Sequence, residues 1–269
     1  MTPRQEFERK TKRRSVAIAL CSTFLVLALI IILVPLTPGW PGVKSSFFNW
    51  EIFAKSFPDL IRAFTLDIAI FAWSAPAITL LGLAIALCRD TRNPALYPLR
   101  LFGAVYTDVF RGIPVVLIVY LIGFGIPGLG LSRPWNSPYI WGSLALILTY
   151  SAYVAEIFRS GIESVHQSQR NAGASLGLSN ADVMRYVVLP QAIRRVIPAN
   201  MNMFIALQKD VALLSFIGPV EILRQAGVFK SLYANFTPYV AAAVIFLCVT
   251  IPATRYADYL IAKQNRARS

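Results

Sequence analysis

The sequence predicts an all-α polytopic membrane protein, and three observations predict it. Of its 269 residues 56% are hydrophobic and only 14% charged, with a mean hydropathy of +0.58, outside the range of ordinary soluble domains. Val16 to Leu36 gives 21 residues without a charge, enough to cross a hydrocarbon core about 30 Å thick. Further apolar runs follow at 63–88, 101–124, 139–158, 196–220 and 238–261, which makes six predicted helices. Pro76, Pro114 and Pro252 fall within or near these runs. Membrane helices tolerate proline where neighbouring groups satisfy the freed carbonyls.

The first helix follows a basic segment, Arg9, Lys10, Lys12, Arg13 and Arg14. A signal peptide has the same start, but its apolar region spans only about 7–15 residues and ends at an A-x-A site. This run is longer and no such site follows, so a retained anchor is expected over 16–36. A basic cytoplasmic tail precedes it (1–15), an extracytoplasmic loop follows (37–62), then a transmembrane domain over 63–262 and a short tail over 263–269.

Orientation follows from the lysines and arginines. With the N-terminus inside, cytoplasmic segments carry 19 of the 26 and outer loops six, Lys209 being the remaining one. The positive-inside rule then puts both termini in the cytoplasm. The net charge of +13 is accounted for by that bias and by attraction to anionic lipid heads, without any nucleic-acid partner. Cys21, Cys88 and Cys248 each lie alone in an apolar run, so neither a disulfide framework nor a metal cluster is indicated. His166 is the only histidine and reads as a solvated loop residue.

The longest cytoplasmic connection, 159–195, is far longer than a reversal of direction needs. It has helical composition in two pieces. The first, 165–176, contains Ala172, Gly173, Ala174 and Ser175 and ends at Gly177. Ser179 or Asn180 can cap the second, with Asp182 favouring its positive end. That piece carries Val183, Met184, Val187 and Val188 and is expected to stop at Leu189-Pro190. Two helices about a glycine turn make a docking element; an amphipathic hairpin lying on the lipid surface has a similar pattern.

Four segments in order resemble a known family. Ala172, Gly177, Val187, Leu189 and Pro190 have the spacing of the "EAA" loop, E-A-A-x-x-x-G followed nine residues later by I-x-L-P. That loop marks the membrane subunits of bacterial ATP-binding-cassette importers. "FRGIPVVL" (110–117) resembles the R-G-T-P element of the polar amino-acid uptake branch. "AYVAEIFRSGIESV" (152–165) resembles its A-Y-x-A-E-x-x-R-G-G-I-x-S-V element. "VVLPQAIRRVIPANMNMFIALQKDVALLSFIG" (187–218) resembles the stretch that ends there in L-K-D-T-S-L. Three positions depart from the pattern: Asn171 replaces the Glu of E-A-A, Gly173 its second Ala, and Ser168 a Gly. Asn171 loses a charge-assisted contact to any basic partner group. Gly173 is expected to weaken its helix by about 1 kcal/mol relative to Ala.

The resemblance implies a type I importer permease core of five helices behind the added anchor, in the bacterial cytoplasmic (inner) membrane. It implies that Asn171, Ala172, Gly173, Gly177, Leu189 and Pro190 form a coupling loop seated on a cytoplasmic ATPase. It also implies a second permease subunit, identical or related, and an extracytoplasmic solute-binding protein. No G-x-x-x-x-G-K-[ST] phosphate loop is present in the chain, so ATP and magnesium are expected on the partner ATPase and no cofactor on this chain. The rival expectation is an ion-gradient-driven secondary transporter, which predicts inverted internal repeats that the sequence does not display.

Charges inside apolar runs are costly and mark cavities or partners. Lys209 and Asp210, beside Gln208, interrupt the fifth run, and three readings compete: a helix break near the outer face where side chains snorkel, a mutually neutralising pair, or a translocation path that receives the two charges of a zwitterion. The resemblance favours the third, because L-K-D-T-S-L falls here. Asp108 with Arg111, and Glu156 with Arg159, are each three apart on one helical face and read as structural braces. Asp67 reads as lying at headgroup level near the outer end of the second helix.

Overall fold

The computed structural model describes residues 3–91 and 93–266, with side chains from Arg14 to Lys263. Among the described residues every regular element is a helix. The elements are α1 (Pro3–Leu33), α2 (Trp40–Phe47), α3 (Trp50–Asp90), α4 (Tyr97–Gly112), α5 (Val115–Gly125), α6 (Pro138–Glu163), α7 (Gln167–Ser175), the single turn α8 (Asn180–Asp182), α9 (Leu189–Asp210), α10 (Ile222–Tyr233) and α11 (Thr237–Arg266). Four helical stretches are long and apolar enough to cross a membrane alone, Arg14–Leu33, Trp40–Asp90, Pro138–Glu163 and Thr237–Lys263, and two bent pairs bring the number to six.

The first bent pair corrects the expected straight helix over 101–124. Pro114 has no N–H to donate and disfavours helical geometry at the preceding residue. Accordingly Ile113 is extended (φ −100°, ψ 132°) and α4 meets α5 at 105°. The expected outer loop over 37–62 is also mostly helical. Asn49 caps α3 by accepting from the Ile52 amide at 3.2 Å, and the Glu51–Lys55 pair supports its first turns. α3 therefore starts 13 residues before the predicted span and continues through Pro58 and Pro76.

α6 is the hub. It packs against α3, α4, α5 and α9, and Leu146, Val154, Ile162 and Tyr150 are among its buried residues. At the crossing with α9 a side chain on Gly161 would overlap Val196, so glycine is what lets the two backbones approach. A second cluster, Leu60, Phe64, Ile222, Ala226, Ala241 and Ile245, joins the N-terminal half of α3 to α10 and α11. α10 was not foreseen in the connection that follows the fifth apolar run. α1 stands apart: no residue of its span Arg14–Leu33 is buried, as expected of a helix whose apolar surface meets lipid.

Candidate functional site

The connection 159–195 folds as two helices about a glycine turn. The His166 ring accepts from the Ser168 amide at 3.3 Å and so caps α7. At the other end the Leu178 amide donates to the Gly173 carbonyl and the Gly177 amide to the Ala174 carbonyl, at 3.2 and 3.0 Å. That bond pair is a Schellman motif, which needs a left-handed residue; Gly177 has φ +82°. Of the two possible caps for the second helix Ser179 takes the role, accepting from the Asp182 amide at 3.2 Å.

Two details differ from expectation. Gly173 is buried, and a Cβ there would lie 3.1 Å from Val183 Cγ2 and 3.5 Å from Val187 Cγ2. The glycine thus allows close packing of α7 on the segment after the turn, and the Ala of the family pattern does not fit without displacement. Nor does the second helix stop at Leu189-Pro190. Val183–Val188 is a π-helical stretch, in which the Leu189 amide donates to the Met184 carbonyl. The wider turn accommodates the missing donor of Pro190 and its ring, so the chain runs on into α9 without a loop.

Asn171, Ala172 and Leu176 are exposed, Leu176 to 82%, and Leu189 and Pro190 lie at the handover into α9. The loop is fastened from behind. Arg170 pairs with Asp90 at the end of α3 (3.7 Å) and donates to the Ile162 carbonyl (2.9 Å). Gln191 of α9 donates to Gln169 of α7.

At the root of the loop Glu156 collects three arginines. Arg89 of α3 lies at 2.9 Å, Arg111 of α4 at 3.6 Å, and Arg159 donates from both Nε (3.1 Å) and Nη2. Arg159 also pairs with Glu163. The Glu156–Arg159 contact forms as its spacing suggested. The Asp108–Arg111 contact does not: Arg111 turns to Glu156 and sits 5.8 Å from the Tyr153 ring centroid, and Asp108 is exposed. A carboxylate from a neighbouring helix, already among cations, outcompetes one on the same exposed face.

Gln208, Lys209 and Asp210 are the last residues of α9. Successive helical residues are 100° apart, and these three point in different directions. Gln208 is buried and accepts from Thr250 of α11 at 3.5 Å, and its Nε2 has no partner. Lys209 is exposed. Asp210 accepts a hydrogen bond from the Tyr150 hydroxyl of α6 at 2.8 Å. Among the described residues no ion pair joins Lys209 to Asp210, so the neutralising-pair reading is not realised. Helical geometry tightens to 3₁₀ over Val211–Ile217 immediately after Asp210, and Gly218 (φ +127°) ends it. Glu221 then caps α10 by accepting from the Leu223 and Arg224 amides at 2.8 and 2.7 Å. Asp67 is fully buried rather than at headgroup level.

Tyr150, Thr250, Arg89 and Arg195 escaped the sequence reading. Each is one polar residue on an otherwise ordinary helix, and only tertiary packing gives it a partner.

The family of binding-protein-dependent transport system inner membrane components matches residues 80–266. A probable amino-acid permease protein of Bacillus subtilis, YxeN, is 34% identical over 76% of this chain and 90% of its own length. A probable glutamine ABC transporter permease of the same organism, GlnM, is 35% identical over 67% of this chain and 81% of its own. Among solved structures, an amino acid ABC transporter superposes with a TM-score of 0.72 and 32% identity, covering 80% of this chain and 98% of that one. The methionine transporter MetNI superposes with a TM-score of 0.61 at 18% identity, a likeness of fold. These matches favour the importer over the ion-gradient alternative. The chain belongs to the binding-protein-dependent transport system inner membrane components, multi-pass permeases with the type I ABC importer fold.

Proposed function

We propose that this permease carries amino acids inward across the cytoplasmic membrane, driven by ATP hydrolysed on separate ATPase subunits. The observation that supports it most is the fastened helix–glycine–helix loop with an exposed apolar tip, continuous through π-helical Val183–Val188 with the helix that carries Asp210. Asn171, Ala172, Gly173, Gly177, Leu189 and Pro190 form the coupling surface and its root. Glu156, Arg89, Arg111 and Arg159 brace that root against α3 and α4. Asp210, held by Tyr150, receives the ammonium of a zwitterion, and Lys209 its carboxylate, with Gln208 beside them.

A solute-binding protein outside the membrane supplies the substrate, and a second permease subunit, identical or related, completes the path. ATP and magnesium bind the ATPase, not this chain. Both termini face the cytoplasm. Alternating access follows when closure of the ATPases displaces the loops and the helices rock. Membrane vesicles supplied with ATP, binding protein and radiolabelled amino acids, but with no ion gradient, test this. Accumulation that ceases when ATP is omitted is expected; accumulation that needs only an ion gradient defeats the proposal.

A further inference from the structure

A cavity of about 670 Å³ opens between the cytoplasmic halves of α6 and α9. Arg111, Arg159 and Arg195 line it together with Tyr153, Ser160 and Glu163. Its charges do not balance. Glu156 is shared among Arg89, Arg111 and Arg159, and Glu163 pairs with Arg159. Arg195 donates only to neutral acceptors, the Ser164 carbonyl and its hydroxyl, the latter at 2.9 Å. No carboxylate pairs with Arg195 among the described residues, so the wall carries uncompensated positive charge.

The cavity also continues the line of the outer site. Arg195, Ala199, Met203 and Asp210 recur at helical spacing along one face of α9. Tyr150, Tyr153 and Ile157 do the same along α6. Asp210 and Arg195 are 15 residues apart, about 22 Å along a helix.

We propose that this cavity is a weak carboxylate site at the cytoplasmic end of the path, where the guanidinium groups of Arg195 and Arg111 hold the carboxylate of a departing amino acid and Ser160 offers its hydroxyl. The proposal rests on the importer reading given above. Guanidinium matches a carboxylate with paired donors. The site is open to water, so each contact is screened and the affinity falls in the millimolar range, as release requires. A substrate whose ammonium engages Asp210 and whose carboxylate engages Arg195 at different stages meets a site of opposite sign at each end of the path.

Saturation-transfer NMR on the intact complex with its ATPase subunits, in nanodiscs of zwitterionic lipid, tests this with sodium acetate and methylammonium chloride as probes. In a Lys209→Met background, which removes the outer carboxylate contact, acetate should receive saturation, and methylammonium, which Asp210 also takes, should give a signal that Arg195→Gln leaves unchanged. Arg195→Gln should lower the acetate signal at least fivefold, and Arg195→Lys, which keeps the charge but not the paired donors, should restore only part of it. Ser160→Ile, which narrows the cavity from an exposed position, should lower it as well, and co-purification of the ATPase reports assembly of each variant. Equal acetate signals in that background with and without Arg195→Gln or Ser160→Ile overturn the proposal. So does loss of the signal when phosphatidylglycerol is included, which assigns the cavity to a lipid phosphate. Acetate binding that persists while uptake ignores Lys209 and Asp210 would leave this site standing and remove the outer one; the converse pattern removes only this site.

Discussion

The Tyr150 hydroxyl of α6 donates a 2.8 Å hydrogen bond to Asp210 of α9, and so fixes the one carboxylate of the Lys209–Asp210 doublet across the helix pair at the centre of the molecule. A hydrogen bond to a charged group contributes about 1.5–3 kcal/mol. Tyr150→Phe should therefore slow uptake by roughly tenfold or more while assembled complex stays near wild-type amounts. Uptake per quantified complex measures it, and an unaltered rate separates Tyr150 from the path.

The doublet itself is tested by combining changes. Lys209→Met and Asp210→Asn should each abolish uptake without reducing assembly, and the double variant should be as inactive as either. Two charges that merely neutralise one another vanish together at little cost, so recovery of uptake in the double variant would remove both from the path.

Gly177 has φ +82° and open space where a Cβ would stand, so its requirement is conformational and not steric. Gly177→Asn should keep coupling, because Asn enters the left-handed region readily. Gly177→Val should cost roughly 1–2 kcal/mol in the turn and lose ATPase co-purification together with transport. Equal co-purification of both variants would show that the turn does not shape the contact.

Gly173 and Asn171 should part company. Gly173→Ala gains helix propensity but brings a methyl to 3.1 Å from Val183, so it should weaken ATPase binding, and Val183→Ala should rescue it. Asn171 is exposed, so Asn171→Glu should leave assembly intact and transport unchanged or higher. Binding assays with the isolated ATPase subunit distinguish the two positions.

Asp67 is fully buried close to Glu221, also fully buried, and lies near the Ile222 amide without a full hydrogen bond to either carboxylate oxygen. Replacing a buried carboxyl that lacks hydrogen-bond partners by an apolar group of similar shape removes the cost of leaving it unsatisfied. Asp67→Leu should raise the thermal midpoint of the purified permease by a few degrees, as read by a thiol-reactive or scattering assay. A marked fall would mean that the carboxylate has a favourable partner.

Much of this molecule was legible in its sequence because the informative signals are local. Gly177, Ser179 and the small residues of 172–175 announce a capped helix pair, and each acts on its immediate neighbours. The apolar runs located the spans for the same reason. What escaped depends on contacts distant in sequence. α10 is only 12 residues long and owes its stability to Leu60, Phe64 and α11, which no periodicity within it reveals. Asp108 and Arg111 had the spacing of a pair, but Arg111 finds Glu156 on another helix. Leu189-Pro190 had the look of a stop, yet the preceding π-helical turn absorbs the proline. Gly173 looked like a weakness in its helix until Val183 was seen packed on it.

That uninterrupted passage from Asn180 to Asp210 has a mechanical consequence. At about 1.5 Å per residue it is a helical run of roughly 45 Å, and its crossing with α6, where the Val196 side chain lies against Gly161, falls near the middle. Roughly 24 Å lie on the loop side of that crossing and roughly 21 Å on the Asp210 side. A lever with nearly equal arms neither amplifies nor attenuates. If the crossing at Gly161 serves as a pivot, and the helix stays stiff through Pro198, a sideways displacement imposed at Ser179 would reappear at Asp210 with about the same amplitude and the opposite sense.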